Sequence, residues 1–207
     1  RASNPSDHAM NHITTILHEI GHNFGLRHSK EGSAEYGDIS GIMGSSYHIG
    51  NTRQERKGFN GAKSWQLGWY GSQTLTMFAG VSGTRRLCGV VDYDLGGSLS
   101  NHAVVIKIAM PSASDDYYVA YNRDAGFNSQ TNEGHNAVMV TRIPTSNFLQ
   151  PSWLMSKMYF SGSLYLTETS TSDETIIKVR DIDPFDMNPR CAYVDIYPQG
   201  ASPPSCA

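Results

Sequence analysis

The sequence predicts an α+β chain, and three observations carry that reading. Over the first two dozen residues, apolar side chains recur at three- and four-residue spacings (Met10, Ile13, Ile16, Leu17, Ile20, Phe24), the period of one helix face. From residue 73 the pattern changes to period two, in short runs separated by Gly, Asp, Asn and Ser clusters, as strands require. Charged residues are 17%, with Gly at 20 of 207 and 11 Tyr, a balance that fits a strand-rich extracellular protein better than a helical cytosolic one.

The elements follow in order. Ser6 and Asp7 supply an N-cap and a negative charge at a helix start, and the helix runs to about Phe24, with its apolar stripe expected to pack into the core. His8 and His12 lie on the same helix at spacings that do not converge with the later histidines, so they read as contact or surface residues. Residues 29–42 read as a solvated loop. Its Glu31, Glu35 and Asp38 offer oxygens of the kind calcium takes, but solvation is the preferred reading, with Asp38 capping the turn that follows. Arg53, Arg56 and Lys57 read as a solvated charge cluster. Asn60 caps a short helix over 61–68, ended by Gly68, and Trp65, Leu67 and Trp69 read as core under the preceding turn. Candidate strands are 75–78, 86–93, 103–110, 117–122, 137–143, 162–168, 176–182 and 192–197. Short strands with turns between them indicate a β-sandwich-like region rather than βαβ units. The expected organisation is a first unit over 1–72, a β-rich unit over 73–198 and a mobile Gly/Pro/Ser tail over 199–207.

The chemistry concentrates in one stretch, His18-Glu19-Ile20-Gly21-His22-Asn23-Phe24-Gly25-Leu26-Arg27-His28. On a helix, His18 and His22 leave one face a turn apart, so a single Zn²⁺ can take a nitrogen from each. Glu19 then lies beside the metal rather than on it, placed to take a proton from an activated water. Gly25 is the residue for a left-handed helix end, after which the chain turns and His28 returns as third ligand. Three neutral ligands leave a fourth position for water, the mark of a catalytic rather than a structural zinc site.

These residues resemble the metzincin zinc peptidases, whose H-E-x-x-H-x-x-G-x-x-H pattern is met at His18, Glu19, His22, Gly25 and His28. Metzincins also carry a methionine turn beneath the metal, and Met43 in Asp38-Ile39-Ser40-Gly41-Ile42-Met43-Gly44 fits it as an apolar floor. Some metzincins place a metal-reaching tyrosine two residues after that methionine. Tyr47 stands four after it and reads as a loop residue, as does His48. The wider match, His18 through Ser29, then Gly37–Ser40 with Met43-Gly44, then Phe59 through Tyr70, and more loosely Tyr117 through Arg123 and Gly126 through Ser129, resembles the gametolysin family, peptidase family M11. Gly58 departs from it, where a cysteine is expected.

The resemblance implies that residues 1–72 are the C-terminal half of a metzincin catalytic domain and that the chain is a fragment of a longer secreted precursor. It implies a zinc-dependent endopeptidase acting on protein or peptide substrates, by analogy extracellular-matrix or cell-wall glycoproteins, with residues 48–58 walling the pocket after the scissile bond. The alternative is a catalytically silent wall- or matrix-binding protein with a structural zinc.

Other classes are disfavoured. Formal net charge is −3 with no basic stripe, which gives no footprint for nucleic acid. No apolar run is long enough for a membrane span. The three cysteines, Cys88, Cys191 and Cys206, include no C-x-x-C pair, so a second metal site is not expected. One disulfide fits an oxidising compartment. Cys191–Cys206 would close the tail and is slightly preferred over Cys88–Cys191, which would join distant strands.

Overall fold

The computed structural model describes residues 13–45, 56–93, 102–129, 131, 133–145, 149–167, 174–182 and 191–205. The readings on Ser6, Asp7, His8, Met10, His12, Tyr47, His48, Arg53 and Cys206 lie outside them. The fold is α+β. Helix α1 (Ile13–Asn23) is followed by β1 (Ser29–Glu31), α2 (Gly61–Leu67), and strands β2 (Thr74–Phe78), β3 (Gly83–Cys88), β4 (Val105–Ala109), β5 (Asp115–Asn122), β6 (Ala137–Pro144), β7 (Ser152–Met158), β8 (Leu164–Leu166), β9 (Thr175–Ile182) and β10 (Cys191–Pro198).

The strands form a six-stranded sheet of order β1-β7-β6-β5-β4-β2 and a four-stranded sheet of order β3-β10-β9-β8. In the first, β1 runs parallel to β7 and β2 parallel to β4, while the central pairs are antiparallel. One hydrophobic cluster draws on both sheets: Ile106, Ile108, Tyr117, Val119, Val138 and Val140 from the first, and Ile177, Val179, Val194 and Ile196 from the second. Strand alternation sends the intervening residues the other way. Val105, Tyr118 and Ile143 meet Ala62 and Trp65 of α2, so the large sheet is covered on its second face too. Gly61 allows that approach, since a Cβ there would stand 2.7 Å from the Cβ of Ala120.

Asn60 joins these parts. Its side-chain oxygen caps α2 at the Lys63 N–H. Its amide donates to Asp38 Oδ2 at 2.7 Å and lies 3.1 Å from both Ser29 Oγ and Ser152 Oγ. The N-cap of one helix thereby fixes β1, β7 and the loop before Met43 together.

Several expectations are corrected. The 29–42 stretch is not all solvated loop: Ser29–Glu31 pairs with Ser152–Leu154 as an edge strand, and Asp38 is fully buried. Its acids do not converge as a calcium site, because Glu31 pairs with Lys157, Glu35 bonds His28, and Asp38 accepts from Ser40 and Asn60. Lys57 is buried rather than solvated, donating to the Ile39 and Ser45 carbonyls. The 86–93 strand starts and ends earlier, at Gly83–Cys88, with a 3₁₀ turn after it. β7 has no counterpart among the predicted strands. Trp65 packs on Tyr118 of the sheet rather than beneath Met43, and Trp69 is exposed, edge-on to Phe24 and Phe59. The disulfide is Cys88–Cys191, between directly opposed residues of β3 and β10.

The largest correction concerns α1. Most of its stripe is exposed among the described residues, with Ile13 50% exposed, Ile16 46%, Ile20 37% and Phe24 54%, while Leu17 packs with Leu26, Ile42 and Met43. Periodicity identified the apolar face correctly; what it did not identify is a partner for that face.

Candidate metal centre

The site is built where α1 ends. Gly25 adopts φ +82°, the left-handed conformation that costs glycine nothing. The Gly25 N–H donates to the His22 carbonyl and the Leu26 N–H to the Gly21 carbonyl, the paired bonds of a Schellman turn. The reversal sends the chain back past the helix end, so that His28 returns beside His22.

The nitrogens of His18, His22 and His28 that face one another all lie within 4.8 Å. Each ring is held from behind by its Nδ1. His18 Nδ1 is 2.8 Å from the Ile42 carbonyl, His22 Nδ1 is 2.9 Å from the Leu26 carbonyl, and His28 Nδ1 is 2.8 Å from Glu35 Oε1. All three partners are acceptors, so Nδ1 carries the hydrogen in each neutral ring and Nε2 presents its lone pair. The His22 and His28 Nε2 atoms are 3.2 Å apart. Two lone pairs that close repel one another unless a cation lies near both. The donor set therefore fits zinc, which takes neutral imidazoles whose second nitrogen is anchored by a carbonyl or carboxylate.

Electrostatics agree. Burial pushes His18 below its ordinary value, against the opposing bond to Ile42 and with help from the neighbouring histidines. The His28 bond holds the Glu35 carboxyl below the usual range. Burial raises Asp38 despite its bonds from Ser40 and Asn60.

Met43 is fully buried, packed with Leu26, Ile42, Leu17, Phe59 and Leu67. Its turn holds the site twice, since Ile42 anchors His18 and the Met43 carbonyl accepts from Ser29 N–H. Glu19 is exposed on α1 directly after His18. Two further features were not read from sequence. Tyr36 lies over His28 with ring centroids 4.1 Å apart. A cleft of about 730 Å³ beside His22, His28 and Glu35 is walled by Leu149, Gln150 and Pro151. Neither has a local signal: Tyr36 is one aromatic in a polar loop, and the 149–151 wall arrives through the pairing of β7 with β1.

The sequence model of the gametolysin peptidase M11 family matches residues 3–142. The chain belongs to that family. The gametolysin match includes the three histidines, Glu19 and Met43, and it ends within β6, so the 149–151 wall and β7 lie beyond it. The gametolysin peptidases are zinc-dependent metallopeptidases acting on protein. No curated protein and no solved structure matches the chain. No helix among the described residues is long and apolar enough to cross a membrane.

Proposed function

We propose that this chain is the zinc-binding part of a secreted endopeptidase that cleaves extracellular-matrix or cell-wall proteins. Three inward Nε2 atoms, each with its Nδ1 engaged, carry the reading. His18, His22 and His28 hold the metal, and Met43 floors it. A zinc ion held by these three histidines would supply Lewis acidity and make an attacking water more acidic. Glu19, one residue from the first ligand and open to solvent, takes the proton of the attacking water and hands it to the leaving amine. The cleft past Leu149 receives the peptide on the His28 side. Residues 1–72 are then the C-terminal part of a metzincin catalytic domain and residues from 73 a β-sandwich-like accessory region.

The test is zinc content and casein cleavage of wild type beside Glu19→Gln. One zinc in each, with cleavage confined to wild type and stopped by a chelator, is the expected result. Near-normal cleavage by Glu19→Gln removes the base assignment, and absence of bound zinc in wild type removes the site.

A further inference from the structure

Away from the histidines, a second cavity of about 440 Å³ opens where the two sheets meet edge to edge. Its walls are the turn before β2 and the first residues of that strand (Ser72 to Leu75), the middle of β3 (Thr84 to Arg86), and His102 with Ala103. Ala103 and its neighbour Val104 knit the sheets, because Ala103 N–H donates to the Arg86 carbonyl and Val104 N–H to the Gln73 carbonyl.

Two polar groups in this cavity have no internal partner among the described residues. Gln73 is 8% exposed, and its Oε1 is buried without a hydrogen bond. The Arg86 Nε is likewise buried and unbonded. Three arginines of the β-rich region are paired with carboxylates: Arg123 with Asp92, Arg142 with Asp115, Arg180 with Asp195. Arg85 folds back to its own strand, donating to the Thr84 carbonyl, and adds charge nearby. Asp195 touches the wall but is already bonded by Thr84 and Arg180. Buried polar atoms are normally satisfied, and a guanidinium fork matches a carboxylate. A ligand that completes this cavity brings a carboxylate for Arg86 and an adjacent N–H or hydroxyl for Gln73.

The strand beside the cavity favours a peptide as the source. Among the described residues β2 is the edge of its sheet, bonded there to β4. Its outer rim presents backbone donors and acceptors at the spacing of another extended chain. Exposed Phe78 at the far end of β2 offers an apolar contact along the same line.

We infer that the notch formed by Gln73, Arg86 and His102 at the β2 edge binds an acidic side chain of an extended peptide, separately from the histidine site.

The probe is an acetyl-capped pentapeptide with one central Glu, titrated calorimetrically into the Glu19→Gln protein so that nothing is cut. Replacing the central Glu by Gln, or Arg86 by Gln in the protein, should weaken binding about ten-fold or more, the scale of a charge-assisted bond. Far-UV circular dichroism checks that Arg86→Gln is folded. Gln73→Glu offers Arg86 an internal carboxylate, and should abolish peptide binding while holding or raising Tm. Equal affinity for the Glu and Gln peptides, or unchanged binding to Arg86→Gln, overturns the proposal. So does binding of galacturonate where the peptide does not bind. Zinc content and cleavage do not enter the readout, so the two proposals fail separately.

Discussion

Gly21 and Met43 touch across the helix and the turn: a Cβ built on Gly21 would stand 2.4 Å from the Met43 sulfur and 3.3 Å from the Phe59 ring. The glycine between the first two histidines therefore sets how closely α1 seats on the methionine. Gly21→Ala is expected to destabilise by about 1–2 kcal/mol, overpacking outweighing the gain in helix propensity. It should also weaken zinc binding, because His18 and His22 flank the displaced backbone. Gly44→Ala should cost more, since its Cβ would meet the Asp38 backbone carbonyl at 1.7 Å, and a backbone yields less readily than a thioether. Urea midpoints and zinc competition for both variants are the check; an unchanged Gly21→Ala would mean the contact constrains nothing.

On the proposed zinc reading, Glu35 acts through His28. Its Oε1 holds His28 Nδ1 at 2.8 Å, and the carboxylate is itself exposed. Glu35→Ala should lower zinc affinity roughly ten- to hundred-fold, the usual effect of losing such a partner. Global stability should move by less than about 0.5 kcal/mol, as for other exposed substitutions. Competition against a chromophoric chelator reads the first quantity and urea unfolding the second. Wild-type affinity in the variant would leave Glu35 with no role in holding the ring.

How much of this was legible depended on whether the signal was local. The histidine spacing, Gly25, Asn60 and most β strands could be read because a helix face, a left-handed turn, an N-cap and period-two alternation are each written within a few residues. β1 could not, because Ser29–Glu31 is a polar tripeptide made a strand only by Ser152–Leu154. Lys57 and Lys63 look like surface charges, and only the assembled fold supplies the carbonyls that allow their burial. The stripe of α1 shows the reverse case, in which a clear local pattern says nothing of what lies opposite it.

The disulfide joins residues separated by 103 positions, closing most of the β-rich region into one loop. A loop of that length restricts the unfolded chain by about 4–5 kcal/mol in the chain-entropy treatment. The double variant Cys88→Ala, Cys191→Ala should lose stability on the order of 2–5 kcal/mol. Wild type in reductant should fall toward it, while the variant should not respond. Equal urea midpoints for wild type with and without reductant would show that the bond contributes nothing.

Lys63 is fully buried in α2, its Nζ donating to the Gln150 carbonyl at 3.2 Å. Burial lowers its pKa to about 7 from 10.5, with the Asp38 carboxylate opposing the shift. Between those values the unfolded chain holds a proton that the folded chain has released, so this group makes stability rise with pH across that window. Below the window both states are protonated and the full penalty of a buried ammonium is present. Lys63→Met should therefore stabilise most at pH 6, with the advantage shrinking steadily toward pH 10. The substitution does not orphan the carbonyl, because Gln66 Nε2 also donates to Gln150. Urea unfolding of both proteins from pH 6 to 10 measures the difference directly. A difference that stays flat with pH would mean that Lys63 keeps its proton in the folded state, and a Lys63→Met variant weaker at pH 6 would mean that the ammonium's bond to Gln150 outweighs its desolvation.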